Sequence, residues 1–163
     1  MIDIIDNFLN PMVFSNIKGI LMGEDIPWYW QDTVVFLDEQ PYDYGFQFTH
    51  IIYKENKPQS FLYEKMTPIF NKLDVRSLIK VKANLLPLAG EIVTHKFHVD
   101  FPYKNSKTAI MYLNTNNGYT IFKSGEKVDS IENRVVKFNC SEEHTGTTCT
   151  DAPKRVVLNI NYF

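Results

Sequence analysis

His98, Asp100 and His144 are the side chains whose types and spacing could hold a metal ion. In "THKFHVDFPY" (residues 94–103), His98 and Asp100 are separated by a single residue. On a strand both leave the same face about 7 Å apart at their Cα atoms and can converge on one ion, with Val99 turned into the packing. Two side chains alone hold a metal weakly, so a third ligand is sought downstream, and His144 in "SEEHTG" is the only histidine after Asp100. Two imidazoles and a carboxylate on one side of an octahedral ion give the facial triad of non-haem Fe(II) chemistry, which leaves the opposite positions open. His-x-Asp by itself is equally the spacing of a structural hydrogen-bonding pair. Arg155, eleven residues beyond His144, adds a guanidinium that can pair bidentately with a carboxylate reaching past the metal; alone it would read as a surface salt bridge.

The elements that must position these residues form a helical and mixed part, residues 1–77, followed by a strand-rich part, residues 78–163. "NPMVFSNIKGILMG" has Asn10 as N-cap and Pro11 at the first helical position. It places Val13, Ile17, Ile20 and Leu21 on one face and stops near Gly23, which predicts an amphipathic helix. "WYWQDTVVFL" and "GFQFTHIIY" have strand composition. "QSFLYEKMTPIFNKL" carries Pro68, which predicts two short helices or a kink, with Thr67 capping the second. From Leu78 onward, "LIKVKANLL", "HKFHVDF", "TAIMYLNT", "YTIFKSG", "RVVKFNC" and "RVVLNINYF" are short strand-like runs spaced as in an all-β barrel or sandwich. In the last run Arg155, Val157, Asn159 and Asn161 share one face and Val156, Leu158, Ile160 and Tyr162 the other. In "TAIMYLNT", Ala109, Met111 and Leu113 oppose Tyr112 and Asn114. The polar faces meet either solvent or a lumen that houses a site.

The other candidates fit structural roles. His95, three residues before His98, falls on the opposite face of a regular strand, and His50 in "FQFTHII" reads as a packed or surface group. Cys140 and Cys149 lack Cys-x-x-Cys spacing, so buried thiols are expected rather than zinc ligands.

The chain of 163 residues is the size of one domain. It has no apolar run long enough to cross a bilayer, no basic region ahead of an apolar segment at its N-terminus, and no disulfide framework, so a cytoplasmic protein is expected. The net charge of -2 conceals an asymmetry: residues 1–53 carry eight acids and one base, the rest sixteen bases and eleven acids. Two differently solvated faces account for this, as would an anionic ligand of the second part; no dense basic stripe calls for nucleic acid.

"HVDFPYKNSKTAIMYLN", "NNGYTIF", "EEHTG" and "APKRVVLNINYF", in that order, resemble the Fe(II)- and 2-oxoglutarate-dependent oxygenases of the prolyl-4-hydroxylase-like branch, especially short members carried by marine phages. The likeness covers residues 78–163, with a looser match in the N-terminal helix. It implies a mainly β fold with flanking α: a double-stranded β-helix (jelly roll) core with N-terminal helices packed outside. It also implies that His98, Asp100 and His144 bind Fe(II), that 2-oxoglutarate chelates the metal, and that Arg155 binds its distal carboxylate, helped by Tyr112 and Asn159.

The sequence departs from the family pattern in places. One glycine of the turn before Thr120 is replaced by Asn117, which can take a left-handed conformation. Many relatives use a lysine for the distal carboxylate. Strand parity admits only one of Lys154 and Arg155 to the lumen, and the match of "RVVLNINYF" selects Arg155. Halogenating relatives lack the carboxylate that Asp100 supplies, so hydroxylation of a C–H bond is implied, with O2 as co-substrate and succinate and CO2 released. The substrate would be a peptide side chain, proline among them, or a small molecule; a nucleic-acid demethylase is disfavoured by the net charge. The competing class is a cupin-like jelly-roll module that binds metal, sugar or carboxylate without oxygenase activity. The loops at the barrel mouth would choose the substrate, here "DEQPYDYGF", with Tyr42, Tyr44 and Phe46, and "DFPYKNSK".

Overall fold

A computed structural model describes residues 1–35 and 45–163. After β1 (Asp3–Ile5), helix α1 spans Pro11–Met22. Asn10 caps it, its side-chain oxygen accepting from the Met12 N–H at 3.0 Å, while Pro11 sits where the missing N–H costs nothing. Phe14, Ile17 and Leu21 are its buried face, with Val13 and Ile20 partly buried beside them. β2 (Tyr29–Gln31) and β3 (Gln47–Lys54) follow. β3 turns into β4 (Lys57–Pro58) through Glu55 and Asn56, both at positive φ. A 3₁₀ turn, Glu64–Met66, leads into α2 (Thr67–Leu73), so the segment around Pro68 is two short helices. Thr67 does not cap the second, because its hydroxyl donates back to the Glu64 carbonyl at 2.8 Å.

The strands of the second part are β5 (Leu78–Pro87), β6 (Lys107–Tyr112), β7 (Tyr119–Phe122), β8 (Lys127–Asp129), β9 (Val135–Asn139), β10 (His144–Gly146) and β11 (Lys154–Tyr162). They pair antiparallel in two sheets. The larger runs β1-β9-β6-β11-β5-β3-β2, with β4 on β3, and the smaller runs β10-β7-β8. Alternation along the strands divides the core in two. On the outer face of the larger sheet, Val81, Ala83, Ala109, Met111, Val156, Leu158 and Ile160 pack against α1 and α2. On the inner face, Ile110, Tyr112, Val136, Phe138 and Val157 meet Phe122 and Val128 of the smaller sheet. This is the jelly-roll architecture, with helices outside.

Two local readings differ from expectation. Residues 95–101 do not form a strand: regular pairing is reduced to isolated bridges, Thr94 with Thr147 and His98 with His144, and the Asp100 N–H donates to the Cys140 carbonyl at 3.1 Å. With regular pairing lost, Val99 points outward and is 43% exposed, and Phe97 is exposed as well. "WYWQDTVVFL" contributes only Tyr29–Gln31 as strand. Its last two residues, like Tyr42 and Tyr44, lie outside the described residues. Among the described residues no helix is long and apolar enough to cross a membrane, and both cysteines are free and buried.

Candidate active site

The His98–His144 bridge brings the candidate ligands together. Each backbone N–H donates to the other residue's carbonyl at 3.0 Å, so two segments far apart in sequence present adjacent imidazoles. The His98 and His144 ring centroids are 4.7 Å apart. His98 Nε2 lies 3.7 Å, and His144 Nε2 3.9 Å, from Asp100 Oδ1, and the three ligand atoms all fall within 4.8 Å of one another.

Their partners leave the right atoms available. His144 Nδ1 lies 2.9 Å from the Glu142 carbonyl and His98 Nδ1 3.3 Å from that of Lys96. A carbonyl can only accept, so each Nδ1 carries the proton and each Nε2 presents a lone pair. Asp100 Oδ2 accepts from the Thr108 hydroxyl at 2.6 Å and from Asn161 Nδ2 at 2.8 Å, which turns Oδ1 toward the imidazoles. Burial pushes the Asp100 carboxyl up, but His144, Thr108, His98 and Asn161 together outweigh it and hold the group below the usual carboxylate range. His98 is held below the usual imidazole range, first by burial and then by His144. Two neutral imidazoles and one carboxylate, with fixed tautomers, fit a divalent ion such as Fe(II).

Thr108 and Asn161 hold the Asp100 carboxylate in place, a contact that the sequence alone did not single out; their signal was membership of the polar strand faces. Asn161→Ala is expected to weaken metal binding by about 10–100-fold without unfolding the protein. Anaerobic equilibrium dialysis against Fe(II) checks this, and an unchanged affinity would remove Asn161 from the site.

Arg155 projects into the same narrow cavity, ≈ 80 Å³, as His98 and His144. It is only 4% exposed, and its Nε donates to Ser130 Oγ at 3.0 Å. No carboxylate among the described residues pairs with it. Burial holds its pKa below the ordinary arginine value, yet at any ordinary pH the group remains a cation. Lys154, one residue earlier, faces the other way and donates to the Met22 carbonyl at the end of α1, 2.9 Å away. A Cβ on Gly146 would lie 3.5 Å from Arg155 Nη1. Gly146 follows His144 by two residues on β10, so the guanidinium reaches a point about 7 Å along that strand from a candidate ligand.

Tyr112 is fully buried under Arg155, whose guanidinium carbon lies 5.8 Å from its ring centre. Burial pushes the phenol up to about 12, and its hydroxyl donates to Thr120 Oγ1 at 2.8 Å. Thr120, which lines the cavity, is therefore what the Tyr112 hydroxyl presents there. Asn159 also lines the cavity, and its Oδ1 is buried without a hydrogen-bond partner. Four residues from Arg155 is about 13 Å along the strand, which puts Asn159 at the end of the cavity nearer the candidate ligands.

His95 requires a correction. Without a regular strand its parity argument fails, and the ring is buried and lines the same cavity as His98 and Arg155. His50 is a packed group, bonded to the Pro27 carbonyl at 2.8 Å and Ser60 Oγ at 2.7 Å. Phe46 lies on the surface against Trp30, ring centres 4.3 Å apart. A larger cleft of ≈ 830 Å³ beside α1 contains none of the candidate residues; the donor set, not the volume, selects the smaller cavity.

The turn before Thr120 is kept by steric need. Asn117 is not left-handed. A Cβ on Gly118 would fall 2.7 Å from both Arg155 Cδ and the Thr148 carbonyl. Gly118→Ala is expected to cost about 1–3 kcal/mol and to displace Arg155, read as a lower urea midpoint. A variant as stable as the parent would contradict this close approach.

The fold is that of the Fe(II)- and 2-oxoglutarate-dependent oxygenases of prolyl hydroxylase type. No protein-family model matches the chain, and no curated protein does. Solved structures do. The chain superposes with a TM-score of 0.66 on a prolyl hydroxylase of Trichoplax adhaerens in complex with a hypoxia inducible factor peptide fragment, at 14% identity, covering 99% of this chain and 83% of that one. A prolyl-4-hydroxylase of Pseudomonas putida gives 0.61 at 13% identity, covering 99% and 91%. The non-heme alpha ketoglutarate dependent epimerase SnoN of nogalamycin biosynthesis gives 0.65 at 11% identity, covering 99% and 77%.

Proposed function

We propose that this protein is an Fe(II)- and 2-oxoglutarate-dependent dioxygenase that hydroxylates a C–H bond of a peptide side chain, proline among them, or of a small molecule. The observation that carries the reading is one cavity lined both by His98 and His144 of the preset His98–Asp100–His144 donor set and by a buried guanidinium with no carboxylate partner among the described residues. A divalent ion suits the first and a dicarboxylate the second. Fe(II) with 2-oxoglutarate and O2 would supply the oxidation, with succinate and CO2 released. His98 and His144 would bind through Nε2, because their Nδ1 protons are committed to Lys96 and Glu142. Asp100 would add the anionic ligand through Oδ1, steadied by Thr108 and Asn161. Arg155 would take the distal carboxylate of 2-oxoglutarate, with Thr120 as the hydroxyl that Tyr112 orients.

The test is an anaerobic Fe(II) titration with and without 2-oxoglutarate, watching for the visible charge-transfer band of the chelate. A band that needs both ligands supports the reading. No band from folded protein sinks it and leaves a jelly-roll binding module.

A further inference from the structure

The lumen holds a second cationic group for which the reading above has no use. Lys82 lies on the cavity-facing side of β5 with Asn84 and Leu86, and Lys80 shares their parity. The β5–β11 register orders these residues by depth: Leu86 lies opposite Arg155, Asn84 opposite Val157, Lys82 opposite Asn159, and Lys80 opposite Asn161. Asn161 is the residue that holds Asp100. The lysines therefore stand at the level of the metal ligands, and Arg155 at the other end of the cavity. A dicarboxylate that runs from the ligands toward Arg155 leaves the lysine flank unfilled.

Among the described residues that flank lacks internal partners. Lys82 makes no hydrogen bond or ion pair among the described residues. The side-chain oxygens of Asn84, which is 8% exposed, and of Asn159 are buried without partners. The nearby carboxylate, Asp100, already has Oδ2 occupied by Thr108 and Asn161. Burial, and then the neighbouring Lys80, bring Lys82 down to about 8, so the side chain is still mainly an ammonium ion at neutral pH. An unpaired ammonium in such surroundings is costly unless an anion joins it.

We infer that Lys82, with Asn84 and Asn159 beside it, receives a carboxylate of the substrate, which makes the substrate a carboxylate-bearing small molecule or an acidic peptide side chain and not an unsubstituted prolyl ring. This rests on the oxygenase reading, since it takes Arg155 and the ligands as already engaged by co-substrate. The ammonium would pair with the carboxylate, and Asn84 and Asn159, whose amides can each turn to offer N–H, would complete the hydrogen bonds.

The test uses the full protein loaded anaerobically with Fe(II) and 2-oxoglutarate. Probes are free aspartate and glutamate as small acids, short peptides containing the same side chains, and asparagine, glutamine and proline counterparts as controls. The readout is perturbation of the charge-transfer band on probe binding, followed in air by succinate release. Acidic probes are expected to act at concentrations at least tenfold below their amide counterparts; whether free acids or peptides respond identifies the source of the carboxylate. Lys82→Met is expected to abolish that preference while keeping the band and a melting temperature no lower than the parent's, and Lys82→Arg to restore part of it. The inference is overturned if neutral or prolyl probes act as well as acids, if no probe acts, or if Lys82→Met weakens 2-oxoglutarate binding itself. Absence of the band in the unsubstituted protein overturns the oxygenase reading instead.

Discussion

Arg155→Met is expected to weaken 2-oxoglutarate binding by two to three orders of magnitude while Fe(II) binding alone is unchanged. The guanidinium is buried, and Ser130 occupies only its Nε. Both terminal nitrogens remain available to a carboxylate in the bidentate geometry that arginine favours. Each hydrogen bond to a charged group contributes about 1.5–3 kcal/mol, and two correspond to a loss of roughly 10²–10⁴-fold, at about 1.4 kcal/mol per factor of ten. The lower part of that range applies because the methionine variant no longer carries the cost of burying an unpaired cation. For the same reason its thermal stability is expected to equal or exceed the parent's. Titration of 2-oxoglutarate at saturating Fe(II) decides the matter, and an unaltered affinity would show that the distal carboxylate goes elsewhere.

Asp100→Ala is expected to reduce Fe(II) affinity by at least a hundredfold and to abolish the chelate band. The variant leaves two neutral imidazoles, with no anionic ligand to offset the charge of the ion. Thr108 and Asn161 lose a shared partner but keep each other at 2.9 Å, so the local framework survives. Asp100→Asn is the sharper comparison. It keeps the volume, but its amide brings no charge, and an oxygen retained toward Thr108 and Asn161 leaves only N–H groups facing the imidazoles. Both variants are expected to fold, judged by circular dichroism. Fe(II) binding at parental strength in either would remove Asp100 from the metal site.

Much of this was legible in the sequence because period-two alternation survives wherever pairing is regular. On β11 the polar residues Arg155, Asn159 and Asn161 face inward and Val156, Leu158 and Ile160 face the helices, as their order in the chain implies. The N-terminal helix was legible too, from Asn10, Pro11 and the spacing of its apolar residues. Legibility failed where backbone pairing was interrupted. Between Leu88 and His98 the chain meets its neighbour only at single bridges, so parity predicted neither the inward His95 nor the outward Val99. Short-range rules also yielded to contacts made elsewhere: the Thr67 hydroxyl prefers a carbonyl to a cap, and Gly118 is required by the approach of Arg155 rather than by a left-handed neighbour. The residues that orient the candidate ligands were hardest to see. Thr108 and Asn161 meet Asp100 only through tertiary structure, and a lysine within a strand, such as Lys82, looks in sequence like any solvated charge.

The hold of Asn161 on Asp100 spans 61 residues of chain. During synthesis, His98 and Asp100 therefore emerge long before the residue that fixes the carboxylate, and His144 also emerges before β11. On the proposed function, a metal would thus find its complete ligand set only once β11 has docked between β5 and β6, so that folding of the last strand and assembly of the centre would be one event.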